Sequence, residues 1–390
     1  MKEEIMIAVI GAGPAGSSAA QAAAALGGEV LLIDRKSEIG SPVQCGGFLP
    51  EAFELQRLMP RARLPEALAE IPERCILHRT RLQRIYSPSG KHKEFLVAGR
   101  VLDRRAFDRH LAARAARAGA GILPATRARL VEGALQLSGH FAGTIRPQII
   151  IGADGPNSMV SRAMGNPVQE MGICLEYEMA GAQIDPDAAE MYFSAYFAPG
   201  GYAWIIPTGR DSANVGIGVR ASYLGRQKLP LILERFVKEH PIAAKKLEEG
   251  EVLAVMRGPV PAGGTPGVIQ KGNMLLAGDA AGHVMATSGG GIPLAVVAGR
   301  IAGEAAAGHL QGRTPLSDYP AHIREEFGIQ LERSVQIRKM VDMAMKSDRI
   351  MNALFAALSP AQIKSVMRAE IPAPLRSRAW AFGESGDKTA

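Results

Sequence analysis

The chain has 390 residues, 47% hydrophobic and 21% charged, which is ample for a sizeable core in two or three domains or one discontinuous pair. Its formal net charge is +7, but Lys and Arg are spread along the chain and no basic run alternates with aromatics. That sets nucleic acid aside and favours an anionic lipid surface or a phosphorylated substrate. Three cysteines, Cys45, Cys75 and Cys174, lack CxxC spacing, which argues against a disulfide framework or a zinc site and makes a reducing cytoplasm the default.

In chain order, Ile5–Ile10 is an apolar run with the length of a buried parallel strand. Gly11–Gly16 is a turn, Ser17–Leu26 an Ala-rich helix, and Glu29–Ile33 a second strand that ends at Asp34, together one βαβ unit. No charge occurs between Ile5 and Gly28, yet Gly11, Gly13, Pro14 and Gly16 interrupt the run and Glu3 and Glu4 precede it, so neither a membrane span nor a signal peptide is expected. Cys75–Val97 reads as a hairpin around Ser87-Pro88-Ser89-Gly90. Asp103 is the expected N-cap of an amphipathic helix to Ala118. Ile149–Ile151 is a short strand leading into Gly152-Ala153-Asp154-Gly155. Gly172–Ile184, Glu190–Phe197, Tyr202–Ile206 and Ser212–Val219 read as antiparallel strands, the last two joined by a turn at Thr208–Asp211. Met274–Ala277 is another short strand before Gly278-Asp279, and Ile292–Ala307 a buried helix. From Pro315 the chain reads as helical, with methionines between Met340 and Met351 as core filler. Glu384–Ala390 is the one stretch expected to be disordered.

Gly11-Ala12-Gly13-Pro14-Ala15-Gly16 fits GxGxxG between a strand and a helix. Gly11 permits the turn, Gly13 lets backbone approach a pyrophosphate, and Gly16 lets the helix pack against the strand. The helix N-terminus offers free N–H groups and a positive dipole end to phosphates. Asp34, at the end of the second strand, is placed to accept bonds from ribose hydroxyls. This motif alone does not separate FAD from NAD.

Two later segments, Gly152 to Ser158 and Gly278-Asp279-Ala280-Ala281-Gly282, also follow short apolar strands. With the first motif they resemble the three fingerprints of the para-hydroxybenzoate-hydroxylase-like flavoproteins. The resemblance implies an α/β fold: a Rossmann-like FAD-binding domain of the GR2 type, an inserted mainly antiparallel β-sheet substrate domain, and a C-terminal helical region. The expected boundaries are 1–72 plus 98–165 plus 266–312 for FAD binding, 73–97 plus 166–265 for substrate, and 313–390 for the helical region. It further implies that Asp279 contacts the ribityl chain and that Gly290, Gly291 and Ile292 pack near pyrophosphate and isoalloxazine, the Ile292 helix aiming its N-terminus at the ring. Asp154 orders its own loop. Arg104 matches an arginine that touches flavin, Arg100 is a weaker candidate of the same kind, and Ala128 and Ala15 match backbone positions at the nucleotide.

Cys45-Gly46-Gly47 and Pro199-Gly200-Gly201-Tyr202-Ala203-Trp204-Ile205-Ile206-Pro207 narrow the resemblance to geranylgeranyl reductases, whose PxxYxWxFP motif is matched except that Ile206 replaces Phe. That implies hydrogenation of isolated trisubstituted double bonds in isoprenoid chains, in archaeal digeranylgeranylglycerol phospholipids in preference to geranylgeranyl chlorophyll or diphosphate. Tyr202 and Trp204 alternate with Ala203, so both face one side of the sheet, lining a tunnel or filling sheet core. Cys45 is the catalytic candidate, beside the flavin. NADPH, ferredoxin and reduced deazaflavin are the candidate electron donors. The expected protein is cytoplasmic and peripheral to the membrane, binds an isoprenoid lipid and an electron donor, and holds no metal. The competing readings are an FAD-dependent aromatic monooxygenase and a non-catalytic flavin- or lipid-binding protein.

Overall fold

The computed structural model describes residues 6–371. Ile5 and the Glu384–Ala390 tail lie outside the described residues. Strands of only four residues suffice for the first sheet because each is buried on both faces and built from aliphatic side chains. Its order is Gln270–Lys271, Met274–Leu276, Ile149–Gly152, Ile7–Ile10, Val30–Ile33, Gly121–Leu123, parallel except for the first strand. The helix Pro14–Ala25 begins a turn earlier than Ser17, because Pro14 at its start fixes φ in the helical range and has no N–H to lose. The helix Ile292–Leu310 crosses it at backbone distance: a Cβ on Gly299 would lie 2.1 Å from the Ala15 carbonyl oxygen, and one on Gly303 2.2 Å from that of Ala19.

The second sheet has eight strands in the order Glu251–Pro261, Met171–Ala180, Ser212–Arg220, Tyr202–Pro207, Ala188–Tyr192, Ile76–Tyr86, His92–Leu102, Phe48–Pro50. It is antiparallel except where Ala188–Tyr192 runs parallel to Ile76–Tyr86. Phe48–Pro50 pairs with His92–Leu102, so a short piece of the amino-terminal region belongs to this sheet. The hairpin strands run to Leu102, beyond Val97. The strand expected to reach Phe197 stops at Tyr192, because Ser194 Oγ accepts the N–H groups of Tyr196 and Phe197 and Asp348 accepts that of Ala195, which turns the chain. The one expected to reach Ile184 stops at Ala180, just before Gly181 at φ 78°. A three-stranded sheet (Thr126–Val131, Ala134–Gly139, Gly143–Ile145) and the edge strand Glu251–Pro261 were not read from the sequence.

The eight-stranded sheet has two unlike faces. One carries Leu175, Ile205, Val215 and Ile217 and packs on the helix Leu229–Glu239 through Ile232, Leu233 and Phe236. The other carries Cys174, Glu176, Tyr202 and Trp204 and looks toward the first sheet across a cavity. C-terminal helices clamp the assembly: Asp348 accepts from Ser194 Oγ, and Arg220 pairs with Asp342. The methionines there divide, Met351 being buried, Met345 lining the cavity and Met343 facing out.

Candidate functional site

Packing the two sheets together leaves a cavity of about 900 Å³, at the upper end of small-molecule sites. At its nucleotide end Gly11 adopts φ 100° and leaves no room for a Cβ, which would lie 2.3 Å from the Ala153 carbonyl oxygen. A Cβ on Gly16 would lie 1.7 Å from the Gly11 carbonyl oxygen, so Gly16 serves helix packing and does not line the cavity. Around the Cβ position of Gly13 there is open space. The first turn of the Pro14–Ala25 helix therefore presents N–H groups to an uncluttered cradle, the geometry an anionic pyrophosphate needs. Asp34 accepts from the Ala12 N–H at 2.6 Å and from the Lys36 N–H at 2.8 Å, which fixes its carboxylate at the rim while leaving acceptor capacity for hydroxyls. Ala15 and Ala128 line the same end.

Arg104 is the central cation. It forms a two-pronged bond to Asp108, 3.1 Å on each arm, and its charge acts on Cys45, Glu176 and Asp279. Asp103 caps the helix that carries it, accepting from the N–H groups of Arg105 and Ala106. Asp279 faces the cavity but is remote from bulk solvent, and burial lifts its carboxyl to about 6 against the pull of Arg104. Gly290, Gly291 and Ile292 line the wall beside it, where the Ile292–Leu310 helix starts. Asp154 does order its loop, accepting from Ser158 Oγ at 2.5 Å and from the Met159 N–H at 2.6 Å. Arg100 is elsewhere: it donates to the Leu68 carbonyl, pairs with Glu51 and does not line the cavity. Its strand ends two residues before Arg104, so the two side chains leave the backbone in different surroundings.

On the sheet face, the loop Cys45-Gly46-Gly47 lies against Trp204 and Asn214. A Cβ on Gly46 would meet Asn214 Oδ1 at 3.0 Å and Trp204 Nε1 at 3.4 Å. The Trp204 indole donates to Asn214 Oδ1 at 2.6 Å, and its ring lies over Gly216, where a Cβ would come within 2.4 Å of it. Tyr202 donates to the Ser288 carbonyl and leans on Trp204 with ring centroids 5.8 Å apart. Burial pushes the Tyr202 hydroxyl well above its usual range and lifts the Cys174 thiol to about 12. Cys45 Sγ takes the Gly47 N–H at 3.4 Å. Beyond this floor the cavity continues between Leu55, Leu58, Phe95, Val97 and Met367, an apolar extension with Lys364, Arg368 and Glu54 at its edge.

The sequence reading thus brought together Gly11, Gly13, Ala15, Asp34, Cys45, Gly46, Gly47, Arg104, Ala128, Asp279, Gly290, Gly291, Ile292, Tyr202 and Trp204 around one cavity, and misplaced Arg100. It missed Asn214, Gly216 and Glu176. The available signal for Glu176 was a carboxylate in strand alternation with Cys174, a phase that Glu178 shares. The residues fit an adenine dinucleotide at one end, by the open cradle at Gly13 and the acid at Asp34, and an apolar chain at the other.

Residues 170–260, the stretch that supplies this floor, match the family model for the geranylgeranyl reductase catalytic domain. Residues 9–46 match that for an NAD(P)-binding Rossmann-like domain. Digeranylgeranylglycerophospholipid reductase 2 of Methanopyrus kandleri is 35% identical over 94% of this chain and 93% of that protein. The digeranylgeranylglycerophospholipid reductase of Methanocella arvoryzae is 33% identical over 94% of each. Among solved structures, a geranylgeranyl bacteriochlorophyll reductase-like protein from Thermoplasma acidophilum superposes with a TM-score of 0.81 at 28% identity, covering 94% of this chain and 96% of that one. A flavin-dependent brominase shares the fold at a TM-score of 0.71 and 15% identity. With its nucleotide cradle, its cysteine–glycine loop and its tyrosine–tryptophan sheet face, the chain belongs to the digeranylgeranylglycerophospholipid reductase family.

Proposed function

We propose that the chain is an FAD-dependent reductase that hydrogenates isolated C=C bonds of geranylgeranyl chains in archaeal-type digeranylgeranylglycerol phospholipids during membrane lipid biosynthesis. The observation that carries this reading is one continuous cavity joining a dinucleotide cradle to an apolar sheet face and extension.

In this reading Gly13 and the Pro14–Ala25 helix hold the pyrophosphate, Asp34 the adenosine ribose, and Asp279 the ribityl chain. When bound and reduced, FAD supplies the hydride. An unactivated alkene is a poor hydride acceptor, so the protein must hold it flat, exclude water and deliver a proton. Trp204, locked by Asn214, and Tyr202, locked by the Ser288 carbonyl, are rigid walls suited to orienting an isoprenoid unit. Cys45, held by the Gly47 N–H and Arg104, positions the reacting end.

No helix among the described residues is long and apolar enough to cross a membrane. In this reading the lipid is reached from a cytoplasmic, peripheral position, with basic residues drawn to an anionic bilayer. The electron donor is sought among NADPH, ferredoxin and reduced deazaflavin by following anaerobic bleaching of the flavin absorbance with each.

The deciding experiment is mass spectrometry of lipids after anaerobic incubation of the FAD-loaded protein, dithionite and unsaturated geranylgeranyl phospholipid. Mass gains in steps of two hydrogens are expected. No gain, with the flavin bound and reducible, overturns the phospholipid assignment and turns the test to geranylgeranyl chlorophyll.

A further inference from the structure

A site that adds hydrogen to an alkene has to give up a proton, and the family motifs of this chain supply no evident acid. The cavity-facing side of the Met171–Ala180 strand does. Glu176 stands opposite Gly216, which in turn stands opposite Trp204. Gly216 has no side chain to separate them: a Cβ there would come within 2.8 Å of the Glu176 Cβ as well as 2.4 Å of the indole ring. The carboxyl group thus lines the cavity floor beside the tryptophan, 1% exposed, and makes no ion pair among the described residues. Its polar partner is Asn214, which accepts the indole N–H at Oδ1 and donates from its amide group to Glu176.

The groups facing Glu176 come from every side of this pocket. Cys174 lies two residues away on the same strand, Tyr202 on the far side of Gly218, Cys45 on the loop above, and Arg104 farther off on its helix. Met256 is its neighbour on the edge strand Glu251–Pro261. Arg104, committed to Asp108, is the single cation among the described residues that acts on it. Cys174 is a poor acid, its thiol held at about 12, and Tyr202 is poorer still. Desolvation lifts the Glu176 carboxyl to about 7 against the opposing pull of Asn214 and Arg104, so that a carboxylic acid persists near neutral pH.

We propose that Glu176 is the proton donor of the reduction, a role that rests on the reductase reading above. The π bond of the alkene breaks and two C–H bonds form. Reduced flavin, when bound, would supply one carbon with a hydride and its electron pair, and would thereby be oxidised by two electrons. The other carbon receives the proton from the Glu176 carboxyl oxygen. The carboxylate left behind regains a proton from water that enters the cavity once the product has left.

The test is Glu176→Gln, nearly isosteric, in the FAD-loaded full chain, with Glu176→Asp as the partner that keeps an acid. Turnover of the geranylgeranyl phospholipid is expected to fall about a hundredfold in the glutamine variant at unchanged flavin content, and to recover in part with aspartate. Wild-type turnover should fall as pH rises through about 7, because the acid form is the one required. Independently of turnover, infrared pH-difference spectra of protein labelled with carbon-13 glutamate should show a protonated carboxyl stretch that disappears as pH rises through the same range and is missing in Glu176→Gln. The label separates it from Asp279. Wild-type turnover in the glutamine variant, or no such band in the wild-type chain, overturns the proposal. A wild-type chain that leaves the phospholipid unreduced overturns the phospholipid assignment and moves the turnover comparison to geranylgeranyl chlorophyll, with the infrared band still testing this role, whereas a wild-type chain that reduces its lipid with an equally fast glutamine variant overturns this role alone.

Discussion

Two glutamates are buried in the large sheet, each 1% exposed, and they are solvated by the protein in opposite ways. Glu190 points to the helix-packed face. It takes Lys246 at 2.6 and 2.7 Å, Arg84 at 2.8 Å and the Tyr192 hydroxyl at 2.6 Å. Glu176 points to the cavity and has an amide as its partner. A buried carboxylate is tolerable when cations and hydroxyls replace its water, and is driven to the neutral acid when they do not. The same side chain therefore cements one face and is available for proton transfer on the other. Neighbouring residues show the same division. The helix-packed face is filled by Tyr86 stacked on Tyr192, with ring centroids 4.5 Å apart, and by Phe236 and aliphatic side chains. The cavity face is kept thin by Gly216 and Gly218 so that Trp204 can lie flat.

Making the same substitution on each face tests this contrast most sharply. Glu190→Gln should destabilise by about 3–5 kcal/mol, because Lys246 and Arg84 are left half-buried beside a neutral amide. Urea unfolding at pH 7 measures it, and a loss under about 1 kcal/mol would mean that the cations relax to solvent.

Glu176→Gln should do the reverse, depending on pH. Its folded-state carboxyl, at about 7, lies above the unfolded value, so the fold holds the proton more tightly and stability is lost as pH rises from about 4.5 through about 7. Removing the group should therefore raise stability at pH 8 by an amount on the order of 3 kcal/mol and change little at pH 4. Equal effects at both pH values would show that the carboxyl is not desolvated.

Gly216→Ala comes next. Its methyl has no space between Trp204 and Glu176, so about 1–3 kcal/mol of overpacking cost is expected, together with a shifted indole fluorescence. Unchanged emission and stability would place the ring elsewhere. The smallest effect belongs to Trp204→Phe, which leaves Asn214 Oδ1 without its donor and should cost about 1 kcal/mol by the same unfolding measurement, with flavin content unaltered.

The parts of the site that were legible in the sequence are those set by local backbone geometry. Gly11, Gly13 and Gly16 announce their roles through spacing, since within six residues of chain the turn at Gly11 and the close contact at Gly16 exclude a Cβ and Gly13 leaves open space for a phosphate to approach. Asp103 is readable as a cap, and Tyr202 and Trp204 as same-face residues, for the same reason of short-range periodicity. Arg100 was misjudged because its neighbourhood, Leu68 and Glu51, comes from distant segments. The strand expected through Phe197 ended early because Asp348, more than 150 residues later, captures the Ala195 N–H.

The sequence by itself determined the nucleotide-binding unit, the existence of an antiparallel sheet and the family to which the chain is similar, because those signals are written in consecutive residues. The tertiary structure alone decided which face of that sheet meets the cavity, that Gly46 and Gly216 close it around Trp204, and that Glu176 and Glu190 part company. Strand pairing sets which side chains become neighbours across the sheet, and the charge state of a buried carboxyl follows from those neighbours, not from its position in the chain.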